Sequence, residues 1–185
     1  MAKVKKKGYV LKIKNVLIFL VIVVIFVSLI ILALNLPINN IYVSNNNILS
    51  DEVIIEQAKL DSYPSFLLSS TREIKKNLES NKYIKKVKIN KHLGNVLEII
   101  VTEYQPIALY NESLIISSGE VVENIYNIVD VPILSNEVSS TVYDNFVKKF
   151  SKIDRNILRQ ISEIEYSPVN VDDSRFLLYM NDGNM

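Results

Sequence analysis

Residues 16–34 form an uninterrupted apolar segment, and this segment constrains the fold of the chain more than any other feature. Ser28 is its only polar side chain. Its nineteen residues, at roughly 1.5 Å each in a helix, span about 28 Å, which is close to the hydrocarbon thickness of a bilayer. A buried helix of a soluble protein is the alternative, but such helices are seldom apolar on every side. We therefore predict a transmembrane helix over residues 16–35, anchored between Val16 and Leu34.

The flanks of this helix indicate its orientation. A basic tail over residues 1–15 contains lysines and no acidic residue; the lysines are Lys3, Lys5, Lys6, Lys7, Lys12 and Lys14. Residues 35–50 carry no charge, so the positive-inside bias keeps the tail in the cytoplasm. A cleaved signal peptide is the rival, but the apolar run exceeds the usual h-region of about 7–15 residues and no small-x-small site follows it. The sequence thus predicts a single-pass, type II protein of the cell membrane, with its bulk outside the cytoplasm.

The amino-acid composition of the chain argues against several classes of function. Without the six tail lysines the chain has 15 basic and 20 acidic residues, a formal charge of −5, which does not favour nucleic-acid binding. There is no cysteine, so neither disulfides nor a thiolate metal site is expected. Four glycines leave little room for the loops that hold cofactors or small-molecule substrates.

The first part after the membrane, residues 39–104, predicts a strand, two helices and two strands. A short strand near Tyr42 is followed by a helix start at Ser50 and by a capping box from Ser70 to Glu73. Two alternating segments around a turn at residues 92–95 then predict a hairpin. A three-stranded sheet with two helices on one face buries these apolar sides, which defines an α+β fold.

Residues 105–185 change to short strands with one further helix, and predict a β-rich, mostly antiparallel domain. The last predicted strand carries Phe176, Leu178 and Met180 and ends in the turn residues 181–184. An Asp-Gly turn normally leads into a partner strand, so this domain is expected to lack its last strands. We therefore interpret Phe176, Leu178 and Met180 as a possible partner edge, because an open edge is a template for strand addition.

The sequence contains no Gly-rich phosphate loop, no G-x-S-x-G elbow and no H-E-x-x-H helix, and we assign no catalytic, cofactor-binding or metal-binding residue. His92 is the single histidine and lies in a predicted turn, where it is interpreted as an exposed residue with no partner nearby. Asp172 and Asp173 are interpreted as turn residues. Lys86 and Lys88 share the outer side of a predicted strand, where solvated lysines are the simpler interpretation and binding to anionic phospholipid or wall polymer the sharper one.

Five segments together resemble the bacterial cell-division proteins of the FtsQ/DivIB family. They are IYVS at 41–44, NKYIKKVKI at 81–89, VLEIIVTEYQPIA at 96–108, LIISSGEV at 114–121 and VPIL at 131–134. In that family a POTRA domain follows the membrane helix and ends in a Glu-Arg-x-Pro-like junction. Glu103 and Pro106 match this inter-domain junction, whereas Tyr104 stands where an arginine is usual.

The resemblance implies a non-enzymatic scaffold of the division machinery at the septum. It implies partners that resemble FtsL and FtsB/DivIC, and no cofactor. Two alternatives remain from the residues themselves. One is a POTRA-bearing component of protein secretion or assembly, although such proteins normally carry repeated POTRA units. The other is a membrane-anchored enzyme of the cell envelope, for which Asp172, Asp173 or Glu103 would have to act as acid or base.

Overall fold

The computed structural model describes residues 12–183, and its first element is the long apolar helix α1 (Ile13–Leu34). None of its side chains is buried against the rest of the chain, and its mean hydropathy reaches 3.6. Within residues 12–183 it is the one helix that is long and apolar enough to cross a membrane. The helix begins three residues before Val16, with Lys12 and Lys14 at its start; Lys3, Lys5, Lys6 and Lys7 lie outside the described residues.

A three-stranded sheet with two helices follows α1, as the sequence predicts. Its elements are β1 (Asn40–Ser44), α2 (Asp51–Gln57), α3 (Thr71–Glu79), β2 (Ile84–His92) and β3 (Val96–Glu103). The strand order is β1-β3-β2, with β1 parallel and β2 antiparallel to β3. Ser50 and Ser70 cap the two helices by accepting the backbone N–H of the residue three positions later.

A buried apolar face holds these helices to the sheet. Leu97, Ile99 and Val101 of β3 are fully buried, and Ile54 of α2 and Leu78 of α3 belong to the same cluster. Strand residues two apart point to the same face, so the alternation in β3 gives one apolar side and one polar side. The polar side remains uncovered by any helix of this unit.

The second sheet has six strands and two further helices. Its elements are β4 (Pro106–Tyr110), β5 (Ser113–Ile116), β6 (Val121–Glu123), β7 (Ile133–Leu134), α4 (Ser140–Phe150), α5 (Arg155–Leu158), β8 (Ile161–Tyr166) and β9 (Phe176–Met180). The strand order is β6-β5-β4-β7-β8-β9.

Three pairings in this sheet are antiparallel, as predicted, but β7 is parallel to both β4 and β8. The sequence analysis did not anticipate these two pairings. The connection from β7 to β8 passes through α4 and α5, and a helical crossover of this kind returns the chain in the same direction.

The second sheet has apolar packing on both of its faces. On one face α4 buries Phe146 and Phe150 against strands of the sheet. On the other face Leu114, Ile116 and Val122 join the core of the first sheet. The two sheets therefore share one continuous core instead of being joined only by their linker.

Candidate protein-binding site

The connection between the two sheets is short, and several hydrogen bonds hold it in place. Glu103 ends β3, and its carboxylate accepts the backbone N–H groups of Asn47, Ile48 and Leu49 at 2.8, 2.9 and 2.9 Å. Pro106 is buried and begins β4, so two residues link the sheets. The structure thus gives Glu103 a positioning role, because it ties the loop after β1 to the end of β3.

Gln105, between those two residues, fastens the link on the side of the second sheet. Its backbone N–H donates to Ser117 Oγ at 2.9 Å, and its carbonyl accepts from the backbone N–H of Ser117 at 2.8 Å. Its side-chain amide donates to the carbonyl of Ile153 at 3.0 Å. Because Gln105 is bonded to Ser117 and Ile153, the link has little freedom to bend.

Tyr83 forms a second bridge between the sheets. It is almost fully buried, and its hydroxyl donates to the carbonyl of Glu123 at the end of β6. Its ring meets that of Tyr126 edge to face, with centroids 5.0 Å apart. Burial raises the pKa of Tyr83, and the neighbouring Tyr126 and Glu123 raise it further, so the phenol stays protonated and remains a donor.

A cluster of one carboxylate and two arginines holds the loop before β7. Asp130 accepts from Arg155 at 3.1 Å and from Arg159 Nε at 2.8 Å. Partial burial raises the pKa of Asp130, but the hydrogen bonds from Arg159 and Arg155 and their charges outweigh it, so the pKa lies below its ordinary value. The sequence analysis missed this cluster; Arg155 and Arg159, spaced by four residues, were the only available signal.

Acidification is expected to weaken the fold through Asp130. Because the pKa is lowered in the folded state, the ion cluster stabilises above the unfolded pKa of about 3.9 and is lost as the pH falls through the lower folded value. Asp130 is more than a third exposed, so we expect the ion cluster to contribute less than about 1 kcal/mol to the free energy of unfolding. This contribution is measured by urea unfolding of the wild type and of Asp130→Asn between neutral and acidic pH. The free energy of unfolding of the variant should depend less on pH than that of the wild type. Asp61→Asn, at an exposed carboxylate, is the control, and an equal change in both variants would contradict the prediction.

Strand β9, which carries the predicted partner edge, lies at one end of the second sheet. Within residues 12–183 it pairs with β8 and with no other strand. Hydrogen bonds from Ser167 to Arg175 and from Asn181 to Gln160 bracket the ladder.

Because bonded and non-bonded pairs alternate in an antiparallel ladder, the register directs the backbone N–H and C=O of Phe176, Leu178 and Met180 away from β8. The side chains of the same three residues point elsewhere, since they pack on the core around Phe146. Leu177 and Tyr179 lie on the opposite side of the strand, where the Tyr179 hydroxyl donates to Glu165 at 2.8 Å. The edge thus offers main-chain groups, with Leu177 and Tyr179 beside them.

The polar side of the first sheet carries the lysines that the sequence singled out. Lys86 and Lys88 are exposed there, as in the simpler interpretation. His92 corrects the sequence analysis: it is the last residue of β2, and its Nε2 lies 3.0 Å from the carboxylate of Glu98. Asn90 donates to the same carboxylate at 2.7 Å. The partner was missed because it lies on the paired strand, six positions along the chain.

Glu103 and Asp172, two of the carboxylates considered above as acid or base, are hydrogen-bonded within the protein. Among residues 12–183 no group of three His, Asp or Glu side chains is close enough to hold a metal ion. Both oxygens of Glu103 already accept backbone N–H groups. Asp172 accepts from the backbone and hydroxyl of Ser174, as a turn residue does.

Comparisons with known proteins agree with this architecture. A sequence model of the POTRA domain, FtsQ-type, matches residues 36–104. The "Cell division protein DivIB" of Bacillus subtilis (strain 168) is 31% identical over 154 residues, which cover 79% of this chain and 58% of the relative. The protein of the same name from Brevibacillus brevis is 27% identical over 155 residues, covering 80% of this chain and 59% of the relative.

A solved structure is also similar, at a low score. It is that of the major extracytoplasmic domain of the cell division protein DivIB from Geobacillus stearothermophilus, in its trans isomer. It shows 21% identity and a TM-score of 0.38, and the match covers 45% of this chain and 76% of that one. The family of the chain is therefore defined by the sequence comparisons.

A helix of membrane-spanning length followed directly by a POTRA domain defines the chain as a POTRA protein with an N-terminal membrane anchor. More narrowly, the chain belongs to the FtsQ/DivIB family of cell-division proteins. It spans rather more than half the length of the DivIB relatives cited above.

Proposed function

We propose that this protein is a non-enzymatic, single-pass membrane scaffold of the bacterial cell-division machinery, which links division proteins during septum formation. Its basic tail lies in the cytoplasm, and two units outside the membrane, residues 39–104 and 105–185, carry the protein-binding surfaces. Membership of a cell-division family, together with α1, supports this proposal. The partners are membrane-anchored division proteins that resemble FtsL and FtsB/DivIC.

The single observation that carries the binding mode is the unpaired side of β9. Three successive outward pairs of backbone N–H and C=O groups, at Phe176, Leu178 and Met180, can bond an added strand in the way β8 bonds the other side. The side chains of these residues stay in the core, so an added strand leaves the fold of the sheet unchanged. Leu177 and Tyr179 would contact the side chains of that strand.

A scaffold must also hold its binding edge in a defined place, and the junction around Glu103 and Pro106 supports this. The shared core and the Tyr83 bridge hold the second sheet against the first. The position of β9 relative to the first sheet is therefore set by packing, and only two residues link the two sheets.

Photocrosslinking in growing cells tests the proposal. The photoreactive residue replaces Leu177, because Leu178 points into the core, and the control replaces the exposed Lys88 on the first sheet. We expect residue 177 to capture a small single-pass division protein, identified by mass spectrometry, and residue 88 not to capture it.

Two other outcomes would count against parts of the proposal. Capture of that protein at residue 88 alone would move the binding surface to the first sheet. A tagged chain that distributes evenly over the membrane at its natural level, without enrichment at the septum, would contradict the role in division.

A further inference from the structure

Two loops of the first unit are bonded to the chain segment that leaves α1. In the first loop, Ser65 Oγ donates to the carbonyl of Leu34, the last residue of the helix. The backbone N–H of Phe66 donates to the carbonyl of Leu36 at 2.9 Å, and that of Ile38 to the carbonyl of Pro64 at 3.0 Å. Residues 63–68 are thereby fixed at the end of the helix.

The turn between β2 and β3 is the second loop. Asn39 donates through its backbone to the carbonyl of Asn95 and through its side-chain amide to that of Gly94, both at 2.9 Å. Lys91 connects the two loops, since its ammonium donates to the carbonyl of Phe66 and lies 4.9 Å from the centroid of that ring. Both loops therefore lie beside the exit of α1.

The tips of these loops carry large apolar side chains that the rest of the protein leaves uncovered. Leu67 is 54% exposed, Leu68 67% and Leu93 fully exposed, and Tyr63 is about half exposed. Single exposed leucines are ordinary on a protein surface. Here, however, they occur on two separate loops, and both loops are hydrogen-bonded to residues 34–39 at the end of a helix of membrane-spanning length.

The length of α1 sets the depth of these loops. Its 22 residues span about 33 Å, so a bilayer with about 30 Å of hydrocarbon places Leu34 at the boundary between acyl chains and headgroups. Groups that bond to Leu34 and Leu36 lie at the same boundary. Leucine and tyrosine side chains are stabilised at this boundary. The acyl chains surround their apolar parts, and the tyrosine hydroxyl stays at the level of the headgroups.

We propose that residues 63–68 and the 91–95 turn form a docking rim that inserts Leu67, Leu68 and Leu93 into the interfacial region of the outer leaflet. The rim holds the POTRA unit against the lipid surface, so α1 and the first sheet act as one body. This inference rests on the proposed membrane span of α1, but on none of the proposed protein partners.

The protein contains no tryptophan, so a single introduced indole reports its own surroundings. We would reconstitute the full chain with Leu68→Trp in nanodiscs of phosphatidylcholine and phosphatidylglycerol, brominated on the acyl chains near the glycerol. Two variants serve as references: Val171→Trp, at a 95% exposed position between β8 and β9, and Phe26→Trp, in the middle of α1.

The expected result is blue-shifted emission and strong quenching for Leu68→Trp, with neither effect for Val171→Trp. Phe26→Trp should be quenched most by lipids brominated near the methyl end of the acyl chains. Unquenched emission from Leu68→Trp beside quenched emission from Phe26→Trp would overturn the docking rim while leaving the membrane span intact. Unquenched emission from Phe26→Trp would overturn the span and the rim together.

Discussion

Replacing Phe146 with alanine is expected to lower the free energy of unfolding by about 3–5 kcal/mol, the usual range for a fully buried phenylalanine. Phe146 is 0% exposed in the middle of α4. Its ring lies 4.6 Å from that of Phe150 and 5.2 Å from that of Phe176, measured between centroids. Alanine would leave a cavity between α4 and β9 that this close packing cannot fill.

Urea unfolding of the detergent-solubilised chain, followed by the near-ultraviolet circular dichroism of its tyrosines, measures this loss. Phe146→Leu keeps most of the volume and is the matched control, with an expected loss below about 1.5 kcal/mol. Because Phe176 lies on β9, the alanine variant should also capture less partner in the crosslinking experiment. Equal stability of the alanine and leucine variants would contradict the central place of this ring in the core.

Replacing Glu103 with alanine is expected to cost about 2–3 kcal/mol, because three backbone N–H groups lose a charged acceptor. Water can reach the exposed amide of Asn47 but not that of Leu49, whose side chain is buried. The substitution should therefore destabilise mainly the loop between β1 and α2.

Hydrogen exchange gives the local measurement for this variant. The amides of Asn47, Ile48 and Leu49 should exchange faster in Glu103→Ala, while those of the second sheet keep their protection. Glu98→Ala, on the same strand, is the control, because Glu98 accepts side-chain donors and no backbone N–H. Unchanged exchange at residues 47–49 would show that the carboxylate does not hold the loop.

The first sheet could be predicted from the sequence because its signals are local. The alternation in β3, the serine caps of α2 and α3 and the turn at Gly94 each act within a few residues. The parallel pairings of β7 could not be predicted, since β7 has only two residues and its partners come from distant parts of the chain. Its place in the sheet is decided by tertiary packing, which overrides local propensity.

Some parts of the candidate site could likewise be predicted from the sequence, and others could not. The sequence singled out Glu103 and the β9 edge, since a family-like junction and a turn after an apolar strand are visible in a single pass. It did not show that the backbone N–H groups that donate to Glu103 lie more than fifty positions earlier in the chain. It also missed the bridge from Tyr83 to Glu123, because an alternating strand pattern gives no sign of which hydroxyl will be buried.

The two-residue link between the sheets has a consequence for the kinetics of assembly. In the proposed membrane-anchored scaffold, the shared core keeps β9 at a constant position relative to the first sheet, so a partner anchored in the same membrane would meet this strand by lateral diffusion. The quantity that governs the encounter is then the number of molecules per unit area of membrane, and the confinement raises the effective concentration of the two strands for each other. Crowding of both proteins into a narrow ring of membrane would drive their pairing even where the strand-to-strand affinity in solution is weak.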